Sequence, residues 1–256
     1  MRLDGVQFSA PRPGLPMQIL YISVLTFLAA ILGTITGFGI STVMVPVVLL
    51  FLPLPETLLL VGVIHWFGDI WKMYFFKKGI DWKLLIYFGI PGVVAAFIGA
   101  SLVLTLPERL LSQFVGAILI AYVIYLLLKP SFRLKKSPLA AGLGGAGSGF
   151  LGGLTGVGGG ALRAIVLTAF NVPKSTYIFT SGLLGTVIDA SRITTYFVGG
   201  TRINTNLSWG LLAFIPASLA GAWVAKRIVD KIPQGVFRSL IAVFLFVLGI
   251  VLFFFP

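Results

Sequence analysis

Two glycine-rich knots interrupt long apolar runs: Thr36-Gly37-Phe38-Gly39, followed closely by Ser41, and Thr155-Gly156-Val157-Gly158-Gly159-Gly160. In a bilayer, irregular backbone survives only where protein buries it or a cavity wets it. A short helix that starts at such a break offers free backbone N–H groups and the positive end of its dipole, a natural site for an anion. Glycine lets the chain turn tightly and a ligand come close, while the hydroxyls of Thr36, Ser41 and Thr155 add donors. Arg163 lies one helical turn into the second arm. A cation at that depth is functional by default, and a guanidinium suits a sulfonate, sulfite or carboxylate. The candidate anion-binding set is therefore Thr36, Gly37, Gly39, Ser41, Thr155, Gly156, Gly158, Gly159, Gly160 and Arg163. Met44 stands where the first half would need its own arginine, so the site is asymmetric. The competing account is that these glycines only let helices pack closely.

A second group consists of paired ionisable residues. Asp69 and Lys72 share a helix face at i, i+3, as do Asp189 and Arg192. His65 extends the first stripe; Ser181 and Gly185 extend the second. Two roles fit His65, Asp69, Lys72, Asp189 and Arg192: structural ion pairs, with Lys72 snorkelling towards the helix end, or coupling and gating. A His65–Asp69 pair could relay protons.

These residues sit in a chain of 256 residues that is 58% hydrophobic and only 10% charged, with a mean hydropathy of +1.05. Soluble domains carry about 25% charged residues, so this is an all-α polytopic membrane protein embedded in a lipid bilayer. The continuous apolar runs exclude the short alternating strands of a barrel. The net charge of +12 comes from basic residues in short loops, a topology signal rather than a nucleic-acid surface. No cysteine is present, which excludes thiolate metal ligands and disulfides. The segment before the first span lacks a small-residue cleavage site.

Windows of about 20 apolar residues place helices near 18–36, 40–52, 56–76, 83–105 and 108–128, then 138–154, 159–171, 175–198, 207–229 and 233–255. The halves, 18–128 and 138–255, read as one duplicated unit within a single transmembrane domain, 1–256. Thr36-Gly37-x-Gly39 matches Thr155-Gly156-x-Gly158, and Asp69-x-x-Lys72 matches Asp189-x-x-Arg192. Pro55, Pro91 and Pro107 match Pro173, Pro216 and Pro233. Each half has about four helical units, the first broken or re-entrant at its knot. The second segments are too short to cross alone, so each either continues the first helix or folds back beside it. In the fold-back arrangement, only Arg2, Arg12, Arg109 and Arg202 of the loop cations lie opposite the basic majority. The positive-inside bias therefore prefers inverted repeats with both termini outside.

The Gly142-x-Gly144-x-x-Gly147 match to a dinucleotide fingerprint lacks its strand and its βαβ unit. No Lys-Ser/Thr follows a glycine run, and no HExxH, Ser–His or Cys set is present. No cofactor, metal or enzyme activity is expected.

The knot at Thr155–Gly160, the short arm ending Asn171-Val172-Pro173, and Leu-Pro-Glu at 106–108 in a repeated unit resemble the sulfite exporter TauE/SafE family of membrane permeases. The first knot departs from the family pattern by carrying fewer glycines. The resemblance covers residues 18–256. It implies transport of a small anion such as sulfite, a sulfonate or sulfoacetate across a bacterial or archaeal cytoplasmic membrane, without fixing direction. The expectation is a secondary carrier alternating access between two repeats; an anion channel and a ligand-free structural subunit are the alternatives. Coupling to protons and assembly as a homodimer are both compatible with the sequence.

Overall fold

The computed structural model describes residues 14–36, 39–76, 80–107, 134–170, 172 and 174–228, with scattered positions between 110 and 128 and between 246 and 254. The expected helices at 108–128 and 233–255 fall mostly outside the described residues, as does Gly37 of the first knot.

Eight helices make up the described fold: α1 (Leu15–Thr36), α2 (Ser41–Val48), α3 (Leu54–Phe75), α4 (Trp82–Val103), α5 (Pro138–Thr155), α6 (Gly159–Ala169), α7 (Lys174–Val198) and α8 (Thr205–Ile228). α1, α3, α4 and α8 are each long and apolar enough to cross a membrane. The chain is a multi-pass membrane protein. Leu20, Val24 and Leu28 on α1 and Ile86, Ile90, Val94 and Phe97 on α4 are exposed, an apolar surface suited to lipid. Pro91 and Pro216 lie inside α4 and α8, which continue through them. Trp82 and Trp209 are exposed near helix starts, as interface anchors would be. Trp66 and Trp71 instead hold helices together: their Nε1 atoms donate to Thr186 O and Ser218 Oγ, each at 3.0 Å.

α2 and α6 have 8 and 11 residues, roughly 12 and 16 Å of helix, against a hydrocarbon core about 30 Å thick. Both fold back on the preceding helix. Gly159 packs on Gly152 and Ser148, Gly147 faces Leu162, and Gly144 faces Val166, a pairing that runs antiparallel. Leu134 N donates to Ala169 O at 3.0 Å, so the end of α6 returns to the level where α5 begins. In the first hairpin, Gly33 lies against the backbone of Gly39 and Ile40, and Thr26 Oγ1 is 3.5 Å from Met44 Sδ.

Close helix contact elsewhere uses a stripe of small residues. A Cβ at Gly145, Gly149 or Gly153 of α5 would fall on a carbonyl of Phe88, Gly92 or Ala96 of α4. Here the packing role of glycine holds; of the fingerprint-like glycines, Gly142 faces α4, while Gly144 and Gly147 face Val166 and Leu162 of α6. α3 and α7 cross antiparallel, with Gly62 facing Ile193 and Gly182 facing Lys72 and Met73. Mid-helix residues of both therefore meet at one depth.

On the polar side of the fold, Asp81 caps α4 by accepting from Leu84 N at 3.0 Å and pairs with Lys136 of the segment before α5. The Lys136 hydrogen bond is the main cause holding the Asp81 carboxyl below its ordinary value.

Candidate functional site

α3 carries His65, Asp69 and Lys72 on one face at i, i+4, i+7; α7 carries Ser181, Gly185, Asp189 and Arg192 at matching spacing. The antiparallel crossing turns these stripes towards each other. α6 adds Arg163 from its second turn, and α2 adds Ser41 from its first. The six ionisable residues of this group are at most 4% exposed.

Two tight local pairs form as the i, i+3 spacing requires. Lys72 Nζ donates to Asp69 Oδ1 at 2.6 Å, and Arg192 Nε donates to Asp189 Oδ1 at 2.7 Å. Lys72 does not snorkel: it is fully buried, because Asp69 and the packed α7 hold it inside. Between the pairs run contacts that exchange partners across the halves. Arg163 Nη2 approaches Asp69 Oδ2 at 3.5 Å, and His65 Nδ1 lies 3.0 Å from Asp189 Oδ2. His65 is closer to Asp189 than to its own-helix neighbour Asp69, whose Oδ1 is 3.6 Å from Nε2. Arg163 Nε donates to Ser181 Oγ at 3.1 Å, and Ser41 Oγ is 3.2 Å from His65 Nδ1.

The charges do not cancel. Lys72, Arg163 and Arg192 face Asp69 and Asp189, leaving one positive charge in excess when His65 is neutral. Among the described residues, Arg163 Nη2, Arg192 Nη1 and His65 Nε2 make no hydrogen bond, and neither do Asp69 Oδ2 and Asp189 Oδ2. A buried, uncompensated cation costs several kcal/mol, a cost that a negative counter-charge would offset. His65, Asp69 and Asp189 also bring three potential metal-ligand atoms within 4.8 Å of one another. Each carboxylate already holds a lysine or arginine at salt-bridge distance, and a metal cation would add charge of the wrong sign.

The knots border this cluster. Gly39 (φ +89°) and Gly158 (φ +80°) occupy matched positions with left-handed backbone, and Gly156 (φ +65°) ends α5 in the same region. A Cβ on Gly39 would strike His65 Nε2; one on Gly156 would strike Leu58 and come within 3.7 Å of Arg192 Nη1. Gly185 leaves the space taken by Asp69 Oδ2 and Arg163 Nη2.

Other expected donors are used elsewhere. Thr36 Oγ1 donates to Leu32 O at 2.7 Å. Thr155 Oγ1 sits 2.8 Å from Leu151 O and 2.6 Å from Val157 O, and accepts from Val157 N at 3.1 Å. These hydroxyls tie the knots to their own helices, because a hydroxyl at a helix end finds its nearest acceptors there. Gly159 serves hairpin packing, and Gly160 is half-buried in the first turn of α6. The structure thus gathers Gly39, Ser41, His65, Asp69, Lys72, Gly156, Arg163, Asp189 and Arg192. Two contributors escaped the sequence reading. Gly62, three residues before His65, gives Arg192 room, with Nη1 3.5 Å from where its Cβ would stand. Tyr177 donates its hydroxyl to Thr36 O at 3.0 Å and links α7 to the end of α1. The i−3 spacing could have flagged Gly62; nothing local marks Tyr177.

No curated protein gives a significant sequence match. The family model TauE, described as Sulfite exporter TauE/SafE, matches residues 22–252. That match takes in the second hairpin, the first hairpin from Ile22 onward and every member of the buried cluster, and the chain belongs to the sulfite exporter TauE/SafE family.

Proposed function

We propose that this protein is a secondary carrier of a small organosulfur or related anion (the sulfite, sulfonate and sulfoacetate class) in the cytoplasmic membrane. The anion binds at the cation cluster between α3, α6 and α7, beside the two knots. The observation that carries this reading is the excess of buried cations over carboxylates, with Arg192 Nη1 making no hydrogen bond and Arg163 Nη2 held only by an ion pair to Asp69 Oδ2 at 3.5 Å. Membership of a family described as sulfite exporters supports a small sulfur oxyanion as substrate.

Halves 18–128 and 138–255 act as inverted repeats in this reading. Support comes from the two fold-back hairpins and from the antiparallel run of α3 against α7, the third segments of the two halves. Parallel halves would set those segments parallel. Contacts also pair in kind: α1 packs on α8 as α4 packs on α5, and α3 on α8 as α7 on α4. Rocking of one half against the other then exposes the site alternately to each side.

The test is transport by protein reconstituted in vesicles. Labelled sulfoacetate should enter saturably and be accelerated by unlabelled sulfoacetate inside. Uptake that rises linearly without counterflow would make the protein a channel. No binding of sulfite, sulfoacetate, taurine or carboxylates would leave a structural subunit.

A further inference from the structure

We propose that His65 is the proton-binding residue of the anion site, and that it takes up one proton when a divalent anion binds. This rests on the anion-site reading above and adds to it the charge state of the substrate. Histidine is the side chain whose charge ordinarily changes between about pH 5 and 8, and His65 is the chain's single histidine.

Its surroundings suit a switch. From α7, Asp189 Oδ2 lies 3.0 Å from Nδ1; from its own helix, Asp69 Oδ1 lies 3.6 Å from Nε2. Each ring nitrogen therefore has a carboxylate waiting for an N–H. Opposing protonation are Lys72 of α3, held on Asp69, Arg163 of α6, and Arg192 of α7, whose Nη2 is 3.4 Å from Nδ1. Tyr196 of α7 directs its hydroxyl to Gly153 O, and α2 presents the neutral hydroxyl of Ser41. Nε2 is buried, makes no hydrogen bond among the described residues, and faces the bare Cα of Gly39.

The charge balance follows. With His65 neutral the cluster carries one excess positive charge, which one monovalent anion cancels. A divalent anion overshoots, and the residual negative charge is cancelled by a proton on His65. Anion and proton then favour each other's binding, and by linkage the effect is reciprocal. Transport of a dianion would carry one proton with it; transport of a monoanion would carry none.

The single histidine makes the test direct. In protein labelled with 15N-histidine and freed of any affinity tag, the one imidazole is followed by NMR across pH 5–8. Sulfoacetate is the divalent probe because both its acid groups stay ionised over that range; methanesulfonate is the monovalent control. Binding of each is checked by thermal shift. Saturating sulfoacetate should raise the titration midpoint by at least one pH unit, equivalent to tenfold tighter sulfoacetate binding to the protonated form, and methanesulfonate should raise it far less. Isothermal titration in two buffers of different ionisation enthalpy, at a pH midway between the two midpoints, should show about half a proton absorbed per sulfoacetate for a one-unit shift and closer to one for a larger shift, and none in His65→Gln. If sulfoacetate binds but the midpoint stays put, or His65→Gln absorbs the same proton, the proposal is overturned while the anion site stands. If neither anion binds at all, the site and the proton role fall together.

Discussion

Replacing Arg163 with methionine separates a ligand-binding cation from a structural one. The two tight pairs, Lys72–Asp69 at 2.6 Å and Arg192–Asp189 at 2.7 Å, survive this change, and the remaining cluster is electrically balanced with His65 neutral. The side chain removed leaves behind the Ser181 hydroxyl and Asp69 Oδ2, which stood 3.5 Å from Nη2; Asp69 keeps Lys72 as its counter-charge, and the lost hydrogen bond is worth about 1 kcal/mol. Relief of an uncompensated buried charge offsets that loss, so ligand-free Arg163→Met should stay within about 1 kcal/mol of the parent. Asp69→Asn is the opposite case. It strands Lys72 and Arg163 without a counter-charge and should cost about 3–5 kcal/mol, roughly 6–20 °C in Tm at 2–4 °C per kcal/mol. Ligand separates the variants again. An anion at 100 times its Kd stabilises the parent by about 2.7 kcal/mol, roughly 5–11 °C; Arg163→Met should lose this gain. Thermal unfolding of detergent-solubilised protein with and without sulfoacetate measures both. If Arg163→Met falls by 3 kcal/mol or more without ligand and still responds fully to sulfoacetate, Arg163 is a structural partner of Asp69 and the charge argument is wrong.

Gly39→Ala places a Cβ on His65 at a φ of +89°. It should cost about 1–3 kcal/mol in backbone strain and weaken anion binding, seen as a reduced sulfoacetate-induced Tm shift. Gly149→Ala drives a Cβ into the Gly92 carbonyl across the α4–α5 contact. It should also destabilise by about 1–3 kcal/mol, yet binding isotherms should show sulfoacetate affinity unchanged in the folded fraction. Asp81 is held below 3.8 mainly by Lys136. Its lowered value makes the stabilisation complete well above pH 3.8 and lost as the pH falls through the depressed folded value. Asp81→Asn should therefore cost up to about 1 kcal/mol at pH 7, the ordinary range for an exposed pair, and nothing at pH values acid enough to protonate Asp81 in the parent. Paired Tm measurements across that pH range check the sign.

Composition and apolar run length were enough to read a polytopic helical membrane protein, because transfer of some 20 residues into hydrocarbon depends on their sum and not on their partners. The i, i+3 pairs were legible too, since helix geometry places those side chains together wherever the helix packs. Glycines at matched positions marked the hairpin turns, where Gly39 and Gly158 need a left-handed backbone that other residues adopt at a cost. The threonines beside them are engaged locally. A hydroxyl can serve a ligand or its own helix, and Thr36 and Thr155 serve their helices.

The glycine knots and the ionisable pairs, two separate features along the chain, come together only in three dimensions. Arg163 is 94 residues from Asp69, and His65 is 124 from Asp189; no local spacing relates them. Their meeting depends on how far α6 folds back, on the depth at which α3 and α7 cross, and on the rotation of each helix about its axis. Those quantities are set by side-chain packing among several segments at once. The charge imbalance that marks the site is a sum over three helices, so it has no counterpart in any single stretch of sequence.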